Sequence, residues 1–451
     1  MSRIVINLQE TWNNQIVFWL QSALGNIQGG GVLYPLNVVG NSVFDQVKQG
    51  ALQLNAVKMA GELLYQDLAT HNAVQQAIQQ AQAISQGMAP IYVHAVDGND
   101  AEELPWETLF TPQNEFLALH RRWPIGRMAS STVSFAGNIH QFRSRLRLMA
   151  ILTAAQVDAI YEWRALHQAI SAGPLEVQLR VLVCQDTVKS EIENLGSNLI
   201  SVDFLPTDLN DLEREIQTFS PNILHFFCHG STLGGPHLQL ASRADWSAGK
   251  AHGSVALDAS QLLQIPNITQ FAWLMTLNCC RGAAPAADIS SLARGLVVAG
   301  IPAVLGMRET VTSNDANLFC EAAYRAILAE IHACVNSGAA QTGVEWVKLL
   351  FEPRRRLAQQ HGAGQTLTGA AAATKQWTLP VIYVRPEPFE LEIPQPAQPL
   401  TPEERLQLQT QLAVLRTYYD DQLAQPNLPP EALAALAEIK AEIDRLEAQL
   451  A

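Results

Sequence analysis

Residues 223–231 read ILHFFCHGS, and residues 274–283 read LMTLNCCRGA. Each is an unbroken apolar run that ends in groups with chemistry: Cys228, His229 and Gly230 in the first, Asn278, Cys279 and Cys280 in the second. Apolarity sustained over about four to eight residues without alternation is what a strand covered on both faces needs. Further runs share that character: IYVHAV (91–96), RLRLMAIL (145–152), VQLRVLVC (177–184), AVLGM (303–307) and PVIYV (380–384), and the second quoted run begins as FAWLMTL (271–277). Helical patterns fall between them at 155–170, 208–219, 291–300 and 315–335. Strands that alternate with helices need crossover connections, so residues 136–385 are predicted to form an α/β domain, a mostly parallel sheet flanked by helices.

Composition removes several function classes. The chain has 451 residues, 48% of them hydrophobic, enough for a large core. Its formal net charge of -13, with no basic run interleaved with aromatics, argues against nucleic acid and leaves protein as the expected partner. No apolar run reaches the roughly 18 residues of a membrane span, and the opening MSRIVINLQETWNNQIVFWLQ lacks the pattern of a secretory leader, so no membrane association and a cytoplasmic location are expected. Six cysteines, two adjacent and none spaced as CxxC, suit neither a disulfide framework nor a structural zinc site.

Outside the α/β region, residues 1–135 read as a less regular upstream region with a helical VKMAGELLYQDL (57–68) and a compact LPWETLF (104–110). Residues 386–402 carry six prolines and read as an extended linker. Thr401, Pro402 and Glu404 form a capping-box start, and Leu433, Leu436, Ile439, Ile443, Leu446 and Leu450 fall on one stripe, so 403–451 is predicted to be a helical hairpin with one apolar side.

In an open parallel sheet, functional groups collect at the carboxyl ends of strands. His229 follows ILHFFC directly and Cys280 follows FAWLMTL by three residues, so both are expected at the same edge. Neighbouring strands lie about 4.8 Å apart, and an imidazole and a thiol at their ends can then act as a Cys/His nucleophile pair. Gly230 admits a substrate carbonyl close to its N–H, and the N–H groups of Gly230 and Cys280 are placed to hold an oxyanion. Asp288 and Glu309 follow the two central strands closely enough to form an acidic pocket wall. Cys184, Cys228, Cys320 and Cys334 read as packing, His225 as a satisfied core histidine, His237 as a loop residue, and Glu107 as the cap of a short helix anchored by Pro105, Trp106, Leu109 and Phe110.

NCCRG occupies 278–282, and His229 lies 51 residues before Cys280 (280 minus 229). That spacing resembles the caspase signature Q-A-C-[RQG]-G, with its histidine about 50 residues upstream. Together with LPWETLF, FLALHRRWPIGR (116–127), SLARGLVVAGIPAVLGM (291–307) and NLFCEAAYRAIL (317–328), the chain resembles the caspase-like CHAT peptidases over about 50 to 385. The resemblance implies a cysteine endopeptidase with His229 and Cys280 as its dyad, and it puts Asn278 in place of the glutamine that lines the primary pocket. Cys279, where the signature has alanine, is expected to pack into the sheet. A neutral Asn278 with acidic neighbours favours a basic or neutral residue over aspartate before the cut. The resemblance also implies a protein substrate and a setting in bacterial defence or programmed cell death. An activating partner or oligomer is expected to engage the C-terminal hairpin.

Other readings fare worse. A zinc site from Cys228, His229, Cys279 and Cys280 would need adjacent strand residues to converge, and these face opposite sides. No metal or other cofactor is therefore expected. No phosphate-binding glycine motif follows a strand, and HGAGQTLTGAAAA (361–373) lacks the preceding strand. A catalytically silent caspase-like scaffold that binds protein partners remains the alternative.

Overall fold

The apolar runs form the middle of a 14-stranded sheet. In space its main path runs Ile200–Phe204, Val177–Val183, Leu146–Leu152, Ile223–Ser231, Leu274–Cys279, Ala303–Met307, Pro380–Val384, Ile125–Met128, Ile91–Ala95, Ile4–Glu10, Ile16–Ser22 and Gly25–Val32. The first six are mutually parallel. Pro380–Val384 then pairs antiparallel with Ala303–Met307 and opens a second parallel block with Ile125–Met128, Ile91–Ala95 and Ile4–Glu10. Two antiparallel strands, Ile16–Ser22 and Gly25–Val32, close that edge. The computed structural model describes residues 3–11, 16–22, 25–32, 42–49, 55–69, 71–72, 76, 88–95, 100–130, 139–231, 235–279, 287–309, 311–362, 364–394, 402–423, 436, 439–440 and 442–443.

The lack of alternation in the central strands has a direct cause. Ile223 and Phe227 pack into one core with Trp163 and Leu166 of helix Ile160–Ala172 and with Phe319, Tyr324 and Ile327 of helix Ser313–Val335. Leu224, Phe226 and Cys228 pack into the other with Leu212 and Ile216 of helix Leu209–Phe219 and with Leu292 and Leu296 of helix Ala287–Val298. Both faces are covered, so neither tolerates a regular polar position. Each fully buried Leu, Ile or Phe contributes about 1.5–3 kcal/mol.

Several expected boundaries move. The second quoted run enters the sheet only at Leu274, because Ile268–Phe271 is a short helix. Helix Ile160–Ala172 starts five residues later than its apolar pattern (160 minus 155), which leaves Ala155 in a loop. The proline-rich segment opens with a strand, Phe389–Glu392, whose Phe389 and Leu391 are buried and which pairs with Gln341–Val344 and Ile139–Gln141. The upstream region is more regular than its sequence suggests, with five of its strands belonging to the main sheet.

LPWETLF anchors that region as expected, with Trp106 fully buried and its Nε1 donating to Ala101 O at 2.8 Å. Gly61 is required here, since a Cβ would lie 1.8 Å from Thr108 O. Glu107 does not cap the short helix Trp106–Thr108. Fully buried, it pairs with Arg127 at 3.2 Å and Arg308 at 3.5 Å. Burial pushes its pKa up, but Arg127, Arg308 and Arg354 outweigh burial and hold it below the ordinary value. The same burial lowers Arg354 to about 10.

The chain divides into two compact units, Met1–Ile393 and Pro394–Ala451. In the second, helix Pro402–Leu423 buries Leu412 against Ile443, with Leu408, Leu415, Tyr419 and Ile439 packed around them. None of the described helices is long and apolar enough to cross a membrane.

Candidate active site

Strand Ile223–Ser231 stays in the parallel sheet as far as Cys228, whose register partner is Cys279. His229 therefore lies within a strand rather than just beyond one: residues 229–231 leave the parallel ladder and pair antiparallel with 237–239. His237 is in turn a strand residue, opposite Ser231, with Nδ1 2.8 Å from Gly235 O.

His229 is 3% exposed, and its Nε2 lies 2.7 Å from Ala155 O. A carbonyl oxygen only accepts, so Nε2 carries the hydrogen and Nδ1 keeps its lone pair. Ala155 belongs to the loop between strand Leu146–Leu152 and helix Ile160–Ala172, and that loop is fixed on both sides. Thr153 N donates to Phe227 O at 2.8 Å, and Ala241 N donates to Thr153 O at 2.9 Å.

Cys280 lies outside the described residues. It follows Cys279 in the chain as His229 follows Cys228, and those two cysteines are partners on neighbouring parallel strands. The side chains of Cys279 and Asp288 are likewise outside the described part. Gly230 is buried and opposes Leu238 in register.

Asn278 is 1% exposed, and its Nδ2 donates to Glu162 Oε1 at 2.6 Å and to Ala316 O at 3.2 Å. Its amide hydrogens are committed to the helix layer, so it does not offer them to a bound side chain as a pocket-lining residue would. Glu309 is paired with Lys375 and is not a free acidic wall.

Beneath Asn278 lies a buried polar cluster. Glu162, His225 and Cys320 place their donor atoms within 4.8 Å of one another. His225 is a core histidine but not a satisfied one: its Nε2 is 3.1 Å from Glu162 Oε1, yet neither ring nitrogen makes a hydrogen bond of acceptable geometry. Its ring meets Tyr324 edge to face at 5.4 Å. Burial, with Glu162 beside it, pushes the Cys320 thiol well above its ordinary pKa.

Sequence reasoning missed Ala155 and Glu162. A backbone carbonyl leaves no signal in a side chain. Glu162 did leave one, since it interrupts the apolar stripe of Ala159, Trp163, Leu166 and Ala169.

A six-stranded parallel block with helices on both faces, a histidine oriented at its carboxyl edge and a cysteine following the adjacent strand define an α/β protein of the caspase-like kind. The sequence profile of the CHAT domain family matches residues 58–341, and the chain belongs to that family. No curated protein matches the sequence. Among solved structures, the Saccharomyces cerevisiae separase–securin complex is similar at 13% identity, over 73% of this chain and 18% of the matched chain, with a TM-score of 0.34. The present chain thus spans less than a fifth of that protein's length.

Proposed function

We propose that the chain is a cysteine endopeptidase in which Cys280 is the nucleophile and His229 its acid and base. The observation that carries the reading is the hydrogen bond from His229 Nε2 to Ala155 O, which leaves Nδ1 as the atom that can take a proton. In this mechanism Nδ1 takes the Cys280 proton and the thiolate sulfur bonds to the substrate carbonyl carbon. The N–H groups of Gly230 and Cys280 hold the oxyanion. The peptide C–N bond breaks, and the amine leaves with the proton from Nδ1. Water, deprotonated by the same nitrogen, then hydrolyses the thioester and restores the thiol.

The substrate is a protein, and the acidic candidate left for its pocket is Asp288, which favours a basic or neutral residue before the cut. The family resemblance implies a setting in bacterial defence or programmed cell death. The C-terminal unit recruits the partner or a second copy, an assignment supported by Leu406, Val414 and Tyr418, which are 65%, 64% and 51% exposed on its first helix.

Labelling of new N-termini in a cell extract tests the reading. The full chain should generate cleavage products that Cys280→Ala and His229→Ala do not. No new termini, together with a Cys280 that alkylates no faster than an ordinary exposed thiol, would leave the scaffold reading in its place.

A further inference from the structure

The second parallel block has its own carboxyl edge, and three polar side chains meet there. Asn7 of strand Ile4–Glu10 is the register partner of His94 of strand Ile91–Ala95. His94 in turn partners Met128, two residues before Ser130. The side chains connect in the same order: His94 Nδ1 is 2.8 Å from Asn7 Oδ1, and Ser130 Oγ is 2.9 Å from His94 Nε2.

The proton positions follow from the acceptor at one end. An amide oxygen only accepts, so His94 Nδ1 carries the hydrogen and Nε2 presents its lone pair to the Ser130 hydroxyl. Asn7 is 6% exposed and holds the ring from below, His94 is half-buried, and Ser130 is exposed. A reachable hydroxyl, a base within hydrogen-bonding distance and a buried third group that fixes the tautomer are the parts of an activated nucleophile. They come from two adjacent strands and from the residue two positions past the end of a third, Ile125–Met128, at the edge where open α/β sheets place ligands.

We propose that Ser130, His94 and Asn7 form a second nucleophilic site, an acyl-transfer triad that takes esters or thioesters of carboxylic acids. Ser130 Oγ bonds to the acyl carbon as its proton passes to His94 Nε2. The ester C–O or thioester C–S bond breaks, and the alcohol or thiol departs with that proton. Water attacks the acyl-serine, Nε2 takes its proton and returns it to Oγ, and the carboxylic acid leaves. Asparagine in the third place gives the imidazolium no counter-charge. Substrates whose leaving group departs with little help from a proton donor therefore fit better than amides.

The test uses the full chain carrying Cys280→Ala, so that no thiol chemistry at that position contributes. The probes are p-nitrophenyl acetate and an alkyl fluorophosphonate, with adducts located by peptide mass spectrometry. The expected result is a covalent adduct on Ser130 and an initial burst of p-nitrophenol that Ser130→Ala abolishes. His94→Ala should slow labelling by about 100-fold or more, Asn7→Ala should slow it too, and Asn7→Asp, which keeps the acceptor, should restore it. Recovery of an unmodified Ser130 peptide after excess probe overturns the proposal. So does labelling of Ser130 that His94→Ala changes by less than about twofold. If His94→Ala does not fold, Ser130 in the otherwise unaltered chain must label about 100-fold faster than its other exposed serines, and parity with them overturns the proposal equally.

Discussion

The carboxyl group of Glu162 accepts a 2.6 Å hydrogen bond from Asn278 Nδ2, and so ties helix Ile160–Ala172 to the strand that leads into Cys280. The same segment holds His229 through Ala155 O, seven residues earlier (162 minus 155). One stretch of chain therefore grips both strands that carry the proposed dyad.

Glu162→Ala should cost activity out of proportion to stability. It leaves Asn278 Nδ2 with only the 3.2 Å bond to Ala316 O, a loss of about 1–3 kcal/mol, while substrate turnover should fall by roughly tenfold or more. Glu162→Gln keeps an acceptor and should retain most turnover. Equal turnover in the alanine variant and the natural chain would show that the bond serves packing only.

Cys280→Ala and His229→Ala should each remove cleavage while changing the melting temperature little. Cys279→Ala should keep most activity. An inactive Cys279→Ala beside an active Cys280→Ala would mean that the nucleophile is one residue earlier.

Chelators should leave cleavage unchanged, whereas thiol alkylation should abolish it. In the folded protein Cys184 and Cys320 should resist alkylation at neutral pH, since burial pushes the first up to about 12 and the second well above its ordinary value. Elemental analysis provides the counter-check. Stoichiometric zinc that Cys320→Ser removes would reassign the Glu162, His225 and Cys320 cluster as a metal centre.

Acid should destabilise the fold in part through His140. Burial lowers its pKa from 6.5 to about 4, Arg385 adds to that, and the bond from Nδ1 to Gln270 O opposes it. Between those values the unfolded chain binds a proton that the folded chain does not, so stability falls as pH drops through the window, by at most about 3 kcal/mol. Urea unfolding at pH 7 and pH 4.5 should show a smaller difference in His140→Gln than in the natural chain. An identical difference in both would put the acid sensitivity elsewhere.

A chain ending at Pro394 should keep the first unit folded, with a melting temperature within a few degrees of the full chain, and should still cleave unstructured peptides. It should lose cleavage of its natural partner or its oligomeric state. Precipitation, or a drop of many degrees, would instead make the C-terminal unit part of the core.

Five of the six strands of the first parallel block were legible because burial on both faces removes alternation, as in ILHFFC and AVLGM; the sixth, Ile200–Phe204, lies at the sheet's edge, is nowhere fully buried and was not legible. The edge strand Gly25–Val32 was not legible either, since an edge strand gains its place from its neighbour rather than from its own apolarity, and Ile16–Ser22, the strand inside it, was passed over despite its apolar IVFWL. The proposed dyad could be read from spacing and strand position. What orients it could not, because Ala155 acts through its backbone and Glu162 through a residue more than a hundred positions away. Proline count misplaced Phe389–Glu392: the prolines lie only at its flanks, so this middle strand of a three-stranded sheet keeps its own donors.

The antiparallel junction between Ala303–Met307 and Pro380–Val384 turns the two parallel blocks head to tail. His229 and Ser130 consequently sit on opposite rims of one continuous sheet. A binder raised against one rim leaves the other open, so each can be inhibited without occluding its counterpart. The molecule can also be immobilised through the rim that carries Ser130 with the rim that carries His229 still facing the solution. An attached sensor or affinity handle therefore belongs on the rim away from whichever chemistry is being measured.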